Sequence, residues 1–582
     1  MNRSLVLTLF VLALALTACG APQPAPTPQA GAPTNIASTS ATPAASASPA
    51  AAPTRPAAAT DLPATPLAAA TPQIFTLALP AAPASLDPAS AVDEAGLLIT
   101  RHLYEGLTAF EPGGTRPVPA LAERWEAGAE ALTWTFTLRA GVTFSTGAPL
   151  TAEAARQNVE RWRTRTPAGA YAFWRLMFGG FAGEADEAGA PLSSVAAITA
   201  TDASTLVFIL NRPDAALPGT LAMPAFALVD PAAWAAPGFG QPGAASAGTG
   251  PFTLQSWSAN GLVALTRQPA YWGTPAQPDG LLFKTIPDDV QRVTALQVGE
   301  VDGLARLPAA DYDLTARWPA LRVEFDPALE VLYLGFNQAR APWDNLNCRL
   351  AVAGAVDPAR YAREFFPGDA EPALALQPPA VWGYPSPAAR PRDVETARAQ
   401  WQTCLAAQPA APTDLTLYVP PVPRTYLPDP AGLGAAVQAD LASAGISVTV
   451  TSPDWTTVWL PDVQAGRADL FLLGWAGLNG DPDAYLCPLF CGGNAAFNSD
   501  AAGRPAPPDA SLADLLRQAQ TVTEPGRRAA LYAQAHTRLF ETVPAIPLTQ
   551  RRTAWAFRAD LTGTMPSPLD NVFFALRLIP PP

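Results

Sequence analysis

The chain predicts an α/β protein, and three observations carry that expectation. Beyond residue 73, segments with strand periodicity interleave with segments of helical periodicity instead of being grouped by type. Hydrophobic residues fill 49% of the 582 positions, ample for a large core in a chain of three or four domain-sized units at ~150 residues each. No repeat of solenoid or propeller period is present, so the alternation is not that of a stacked array.

Taken in order, the first element is an address. Arg3 gives a short positive start and residues 5–16 are an almost unbroken apolar run. That run is shorter than the ~20 residues needed to span a bilayer and suits a secretory signal. It ends in Leu16-Thr17-Ala18-Cys19, which looks like a bacterial lipobox, so Cys19 is expected to carry a diacylglycerol and anchor the mature chain. Residues 20–72 are dominated by Ala, Pro, Ser and Thr, with Arg55 and Asp61 the only charges. Such a stretch buries too little to offset its ordering entropy. At ~3.1 Å per residue it makes a stalk reaching on the order of 100 Å or more.

The folded body follows. Residues 74–79 alternate weakly and stop at Pro80, while 132–138 (Leu-Thr-Trp-Thr-Phe-Thr-Leu) alternate strictly, as a half-buried strand does. Thr151 caps an amphipathic helix over 151–163, with Glu153 in its first turn. Residues 206–210 and 447–450 read as strands, 512–519 and 527–540 as helices. The Pro/Gly-rich stretches 236–250 and 376–392 lie between patterned segments and are loops of the body. Trp134 and Trp162 read as core residues.

Composition excludes several function classes. There are 36 basic and 49 acidic residues, a net charge of −13, and no basic run, so nucleic acid is not an expected partner. Lys284 is the only lysine. Two histidines, His102 and His536, cannot form a conventional multi-histidine metal site, and no cofactor motif is present. Gly248-Thr249-Gly250 lacks the Lys-Ser/Thr of a P-loop, so its glycines serve a turn or a close backbone approach. Asn479-x-Asp481-x-Asp483 imitates half of a calcium loop, but Ala484 and Phe490 stand where a glycine and a glutamate are required. No G-x-S-x-G elbow occurs, and the adjacent Asp288 and Asp289 read as solvent-facing, so an enzyme is not expected. Setting Cys19 aside leaves Cys348, Cys404, Cys487 and Cys491, which admit three disulfide connectivities outside the cytoplasm. Sequence proximity favours Cys487 with Cys491 in a tight loop and Cys348 with Cys404 between two helical segments.

Local phrases then point to a family. They begin with Ser85-Leu86-Asp87-Pro88, Leu103-Tyr104-Glu105-Gly106-Leu107 and Pro119-Ala120-Leu121-Ala122-Glu123-Arg124-Trp125. Gly248-Thr249-Gly250-Pro251-Phe252, Tyr271-Trp272-Gly273 and Val298-Gly299-Glu300-Val301-Asp302 follow. The second half adds Phe336-Asn337, Ala341-Pro342-Trp343-Asp344, Gly474-Trp475 and Val543-Pro544-Ala545-Ile546-Pro547-Leu548. In this order the chain resembles the family 5 extracellular solute-binding proteins, the peptide/nickel-binding class of ABC importer receptors.

The resemblance implies a two-lobed, periplasmic-binding-protein-like (type II) α/β fold with an extra subdomain in lobe one. Lobe one would hold 73–325 and 547–582, with the subdomain at about 119–225, and lobe two 326–546. Hinge crossings would fall near 326–331 and 546–548. The implied function is a lipid-anchored, extracytoplasmic, monomeric receptor that closes over an oligopeptide or similar small solute and delivers it to permease subunits. An oligosaccharide or metal-chelate receptor, a solute sensor and a secreted hydrolase are the alternatives.

The resemblance also nominates residues. Trp475 and Trp455 match cleft-lining indoles, with core packing as the other reading for each. Leu478 stands where oligopeptide-binding relatives place an aspartate that pairs with the peptide ammonium, with Asp481 and Asp483 close by as substitutes if the loop is shifted, and Asn479 is a further ligand-binding candidate. Tyr104 and Glu105 are candidates to face the cleft from lobe one, unless Glu105 is simply solvated. Asn337 is either a ligand amide or a turn cap, and Arg349 either a structural pair or a ligand contact.

Overall fold

The computed structural model describes residues 72–165, 171–412, 414–491, 497, 510–564, 567–569 and 572–578. The leader, Cys19 and nearly all of the stalk lie outside the described residues.

Local signals are realised closely. The alternating segment forms strand Thr133–Leu138, with every second side chain buried. The Thr151 hydroxyl accepts the Ala154 N–H at 3.1 Å and starts helix Ala152–Thr164, satisfying one of the donors a helix start leaves unpaired. Trp134 and Trp162 are both buried.

Among the described residues eleven strands make the principal sheet, one of them, Ala370–Pro372, pairing off the main path with Ala545–Arg558. Through its middle run two long antiparallel strands, Leu321–Phe336 and Ala545–Arg558. Beside one end of this pair lie Leu470–Ala476, Leu415–Tyr418 and Val448–Thr451. Beside the other lie Gly303–Leu304, Ile74–Leu79, Gly280–Thr285, Val263–Arg267 and Phe252–Trp257. The first group packs a core drawn from 332–548, and the second packs cores drawn from 75–321 and 554–576. A separate four-stranded antiparallel sheet, in the order Ala122–Ala127, Thr133–Leu138, Thr205–Leu210, Val195–Ala200, closes its own core with helix Ala152–Thr164. These are two lobes, the first carrying an additional sheet.

Pairing between the long strands breaks between Asp326 and Glu330, which face Thr553 and Arg551. At the other expected crossing, Ile546 and Pro547 pair with Leu334 and Tyr333. Two irregularities, at Asp326/Glu330 and at Leu332/Tyr333, shift the register.

The disulfides are Cys348–Cys404, joining helices Leu346–Ala355 and Val394–Ala407, and Cys487–Cys491. The second does not close a loop as expected. It bridges one turn of helix Asp483–Phe490 to the residue that caps it, where i and i+4 side chains share a face.

Both histidines are buried and neutral. His102 Nδ1–H donates to the Leu98 carbonyl at 2.9 Å while Nε2 accepts the Phe573 N–H at 2.9 Å, pinning the C-terminal segment to the first lobe. Burial lowers its pKa to about 3, and burial lowers that of His536, bonded to Gln377, to about 4. A depressed folded-state pKa means stability that is complete above the unfolded value of ~6.5 and is lost as pH falls, at up to ~1.4 kcal/mol per pH unit per histidine. Thermal melts of wild type and His536→Gln should therefore differ at pH 7.5 and converge as pH falls below ~6.5. A constant difference would mean that His536 does not titrate this way.

Candidate ligand-binding wall

In the second lobe, strand Leu415–Tyr418 runs parallel to both Val448–Thr451 and Leu470–Ala476. Their C-terminal ends open into the loops 419–429, 452–459 and 477–482. Open parallel sheets present ligand sites at that edge.

The middle loop is tied by Asp454, whose carboxylate accepts the N–H groups of Thr456 and Thr457 and starts the turn Trp455–Trp459. The two indoles stack at 4.4 Å, and the Arg424 guanidinium from the first loop lies 4.1 Å from the centre of the Trp455 ring. Nε of Arg424, Nε1 of Trp455 and the hydroxyl of Tyr426 are all buried without a hydrogen-bond partner. Among the described residues no carboxylate pairs with Arg424. Tyr426 lies directly on Gly474, where a Cβ would come within 2.2 Å of the ring, so the Gly474-Trp475 step holds glycine to admit the tyrosine.

This wall is braced against the strand crossing. Glu330 accepts the Thr425 hydroxyl at 3.0 Å, and Arg551 donates to the Thr425 carbonyl at 2.6 Å and to Asp369 at 2.7 Å. Burial raises the Glu330 pKa, opposed by the Thr425 hydrogen bond and the charges of Arg551 and Arg306. Arg306, held in the first lobe by Glu94, thereby brings that lobe to the same crossing.

The nominated residues divide. Trp455 is buried in the second-lobe core and offers its ring to Arg424. Trp475 is buried in the second-lobe core, and its Nε1–H donates to the Ala484 carbonyl at 2.8 Å, folding the third loop back. Leu478 packs on the core of the additional sheet, because its loop crosses to the first lobe. Asn479 makes that crossing polar, donating to the Thr220 hydroxyl at 3.0 Å. Asp481 is committed to a two-pronged, buried pair with Arg528 at 2.6 and 2.8 Å. Asn337 is buried in the second lobe, bonded to the Gly466 carbonyl at 3.0 Å and to the Ala339 N–H at 3.1 Å, a turn-holding arrangement. Arg349 donates to the Trp343 and Thr542 carbonyls.

On the first-lobe side Tyr104 is buried in the core. Glu105 is not solvated: it accepts from Tyr271 at 2.6 Å, Trp272 Nε1 at 2.7 Å and Thr249 at 2.8 Å. Burial raises its pKa and those three donors oppose the rise. The bond to Thr249 holds the Gly248–Gly250 turn against the helix end, where a Cβ on Gly248 would sit 2.0 Å from the Leu103 carbonyl oxygen.

Sequence reasoning missed Arg424 and Tyr426. Their signal was positional: both lie in the Pro-rich loop that follows a parallel strand. Chemically the wall offers hydrogen-bond donors beside an aromatic face, which suits a small ligand rich in acceptors.

Residues 116–497 match the model of the bacterial extracellular solute-binding proteins, family 5 Middle. The chain belongs to this family. Its members bind solutes and are not enzymes. Among its relatives, the di/tripeptide-binding protein 4 of Pseudomonas aeruginosa (strain UCBPP-PA14) is 33% identical over 500 residues, covering 82% of this chain and 90% of the relative. The dipeptide-binding protein of Escherichia coli (strain K12) is 27% identical over 492 residues, covering 81% and 88%. Among solved structures, HbpA2 from Haemophilus parasuis superposes with a TM-score of 0.77 at 24% identity, covering 87% of this chain and 99% of the other. The two-lobed fold is thus the family's. No helix among the described residues is long and apolar enough to cross a membrane.

Proposed function

We propose that this solute-binding protein is the receptor of an ABC importer for short peptides, and that it selects them by their carboxylate end. The observation that carries the reading is the Arg424 guanidinium over Trp455, which no carboxylate pairs among the described residues, close to the Tyr426 ring. A peptide carboxylate would satisfy the guanidinium in the two-pronged geometry for which arginine is suited. The aromatic faces would accept varied side chains at small entropic cost. Names of relatives that bind di- and tripeptides support the same ligand class.

The amino end is served differently. Leu478 brings no carboxylate, and Asp481 is neutralised by Arg528. Contacts with the peptide ammonium are therefore not what fixes the ligand. Titration of a dipeptide and its C-terminal amide tests the reading: the amide should bind on the order of tenfold or more weakly. Equal affinities would remove the carboxylate from recognition.

The lobes would close about the strand crossing at Asp326/Glu330 and Arg551/Thr553, since a ligand touching both lobes favours the closed form. The first lobe would comprise 73–325 and the C-terminal return, and the second the residues between. Cys19 would hold the monomeric receptor on the membrane, and the stalk would keep it near its permease at high effective concentration. A Cys19→Ser change should move the protein from the membrane fraction to the soluble one. Retention of the unlipidated chain would contradict the anchor.

A further inference from the structure

Where the third loop of the second lobe meets the additional sheet of the first, three carboxyl groups surround one guanidinium. Asp481 and Asp483 come from the loop and the helix that follows it, Arg528 from helix Pro525–Thr542, and Asp214 from the segment after strand Thr205–Leu210. Two hydrogen bonds cross this contact: the Ala215 N–H donates to the Gln520 carbonyl at 3.0 Å, and Asn479 donates to Thr220 at 3.0 Å. Ala215 and Leu217 belong to the core of the first-lobe sheet, Tyr485 and Tyr532 to that of the second lobe, so the cluster lies on the contact between them.

The charges do not balance when every group is ionised. Arg528 is consumed by Asp481, its Nε by the Ala519 carbonyl, and its faces by Trp382 and Tyr532. Asp483 has only the Gln520 amide at 3.2 Å on one oxygen, while its Oδ1 is sealed from solvent without any donor. Asp214 has the Ala216 N–H and the charge of Arg212, and faces Asp481. The remaining charges on the nearby helix Ala510–Thr521, Arg517 and Asp514, pair with each other at its exposed surface. A buried carboxylate oxygen with no donor is costly and is relieved by a proton.

We propose that this contact is a proton-operated latch between the lobes. With Asp214 and Asp483 protonated, the Asp481–Arg528 pair stands balanced and the first-lobe sheet rests on the second lobe. With both ionised, two more negative charges face Asp481 and each other across the contact, opposed only in part by Arg528 and Arg212, and the latch loosens. Burial and the neighbouring Asp481 raise the Asp483 pKa to about 7 and that of Asp214 to about 6, which places the change at ordinary extracytoplasmic pH. Folded-state values above the unfolded ones give stability that is present at low pH and lost as pH rises through them. The latch is independent of which ligand the cleft takes.

Global melting is a poor readout, since the two buried histidines titrate with the opposite sign below pH ~6.5. Hydrogen–deuterium exchange of the full chain, corrected for intrinsic rates, reads the contact locally through segments 214–221 and 477–484. Their protection should fall on the order of tenfold between pH ~5.5 and ~8 in wild type and stay level in Asp214→Asn/Asp483→Asn. Wild-type protection that does not change with pH overturns the proposal, as does an equal fall in the double variant. Should the double variant not fold, the single Asp214→Asn and Asp483→Asn variants replace it, each expected to shrink the pH-dependent fall. Singles that leave the profile unchanged overturn the proposal as well.

Discussion

Replacing Arg528 with alanine is expected to destabilise the protein by about 3–5 kcal/mol, the usual cost of leaving one half of a buried ion pair behind. Asp481 is 5% exposed in its side chain, as is Arg528, and the arginine supplies both of its ion-pair bonds. Without it Asp481 and Asp483 lose the cation between them, and only Arg212, beside Asp214, is left to oppose three carboxyl groups. The variant should recover part of its stability as pH falls, because protonation then removes the uncompensated charge. Arg528→Lys should recover less than half, since a point charge cannot replace a two-pronged fork. Arg528→Met combined with Asp481→Leu should lie closer to wild type than Arg528→Ala alone, because the charge and its partner leave together. Chemical denaturation at pH 5.5 and 7.5 checks each statement. An Arg528→Ala protein within 1 kcal/mol of wild type at both values would show that the pair carries little of the contact.

The second large effect concerns ligand. Arg424→Ala should weaken peptide binding by about 1.5–3 kcal/mol, the range for hydrogen bonds to a charged group, and leave the melting temperature nearly unchanged. The fold should tolerate the loss because the guanidinium has no carboxylate partner to orphan among the described residues, only the Trp455 face. Trp455→Ala should also weaken binding but carry a stability cost, since that indole is buried against Trp459. Trp475→Ala should act mainly on stability, through the lost bond to Ala484 and the loop it folds back. Calorimetric titration beside thermal melts separates the three. Unchanged affinity in Arg424→Ala would take the guanidinium out of the site.

The sequence was most informative where the physics is local. Strict alternation found strand Thr133–Leu138, and a threonine followed by an acidic first turn found helix Ala152–Thr164. Cysteine proximity found both disulfides while mistaking a helical turn for a loop, because a separation of four residues fits either. Motif order conveyed the family. What stayed hidden depends on contacts between distant segments. Leu478 packs, partly buried, on the core of the first-lobe sheet, and Asp481 meets an arginine 47 residues further along. Whether Glu105 faced a cleft or solvent stayed open in the sequence because Tyr271 and Trp272, which cover it, are over 160 residues away. Arg424 escaped notice because an arginine in a proline-rich loop resembles an ordinary solvated one until its neighbours are placed.

The central claim is that the second-lobe wall takes a peptide by its carboxylate. Native mass spectrometry tests it most directly, on the mature chain incubated with an equimolar mixture of di- and tripeptides, their C-terminal amides and small oligosaccharides. One-to-one adducts carrying peptide masses with a free carboxylate are expected, and fewer of them in Arg424→Ala. Adducts confined to oligosaccharides or to the amides, with no free-carboxylate peptide retained, would contradict it.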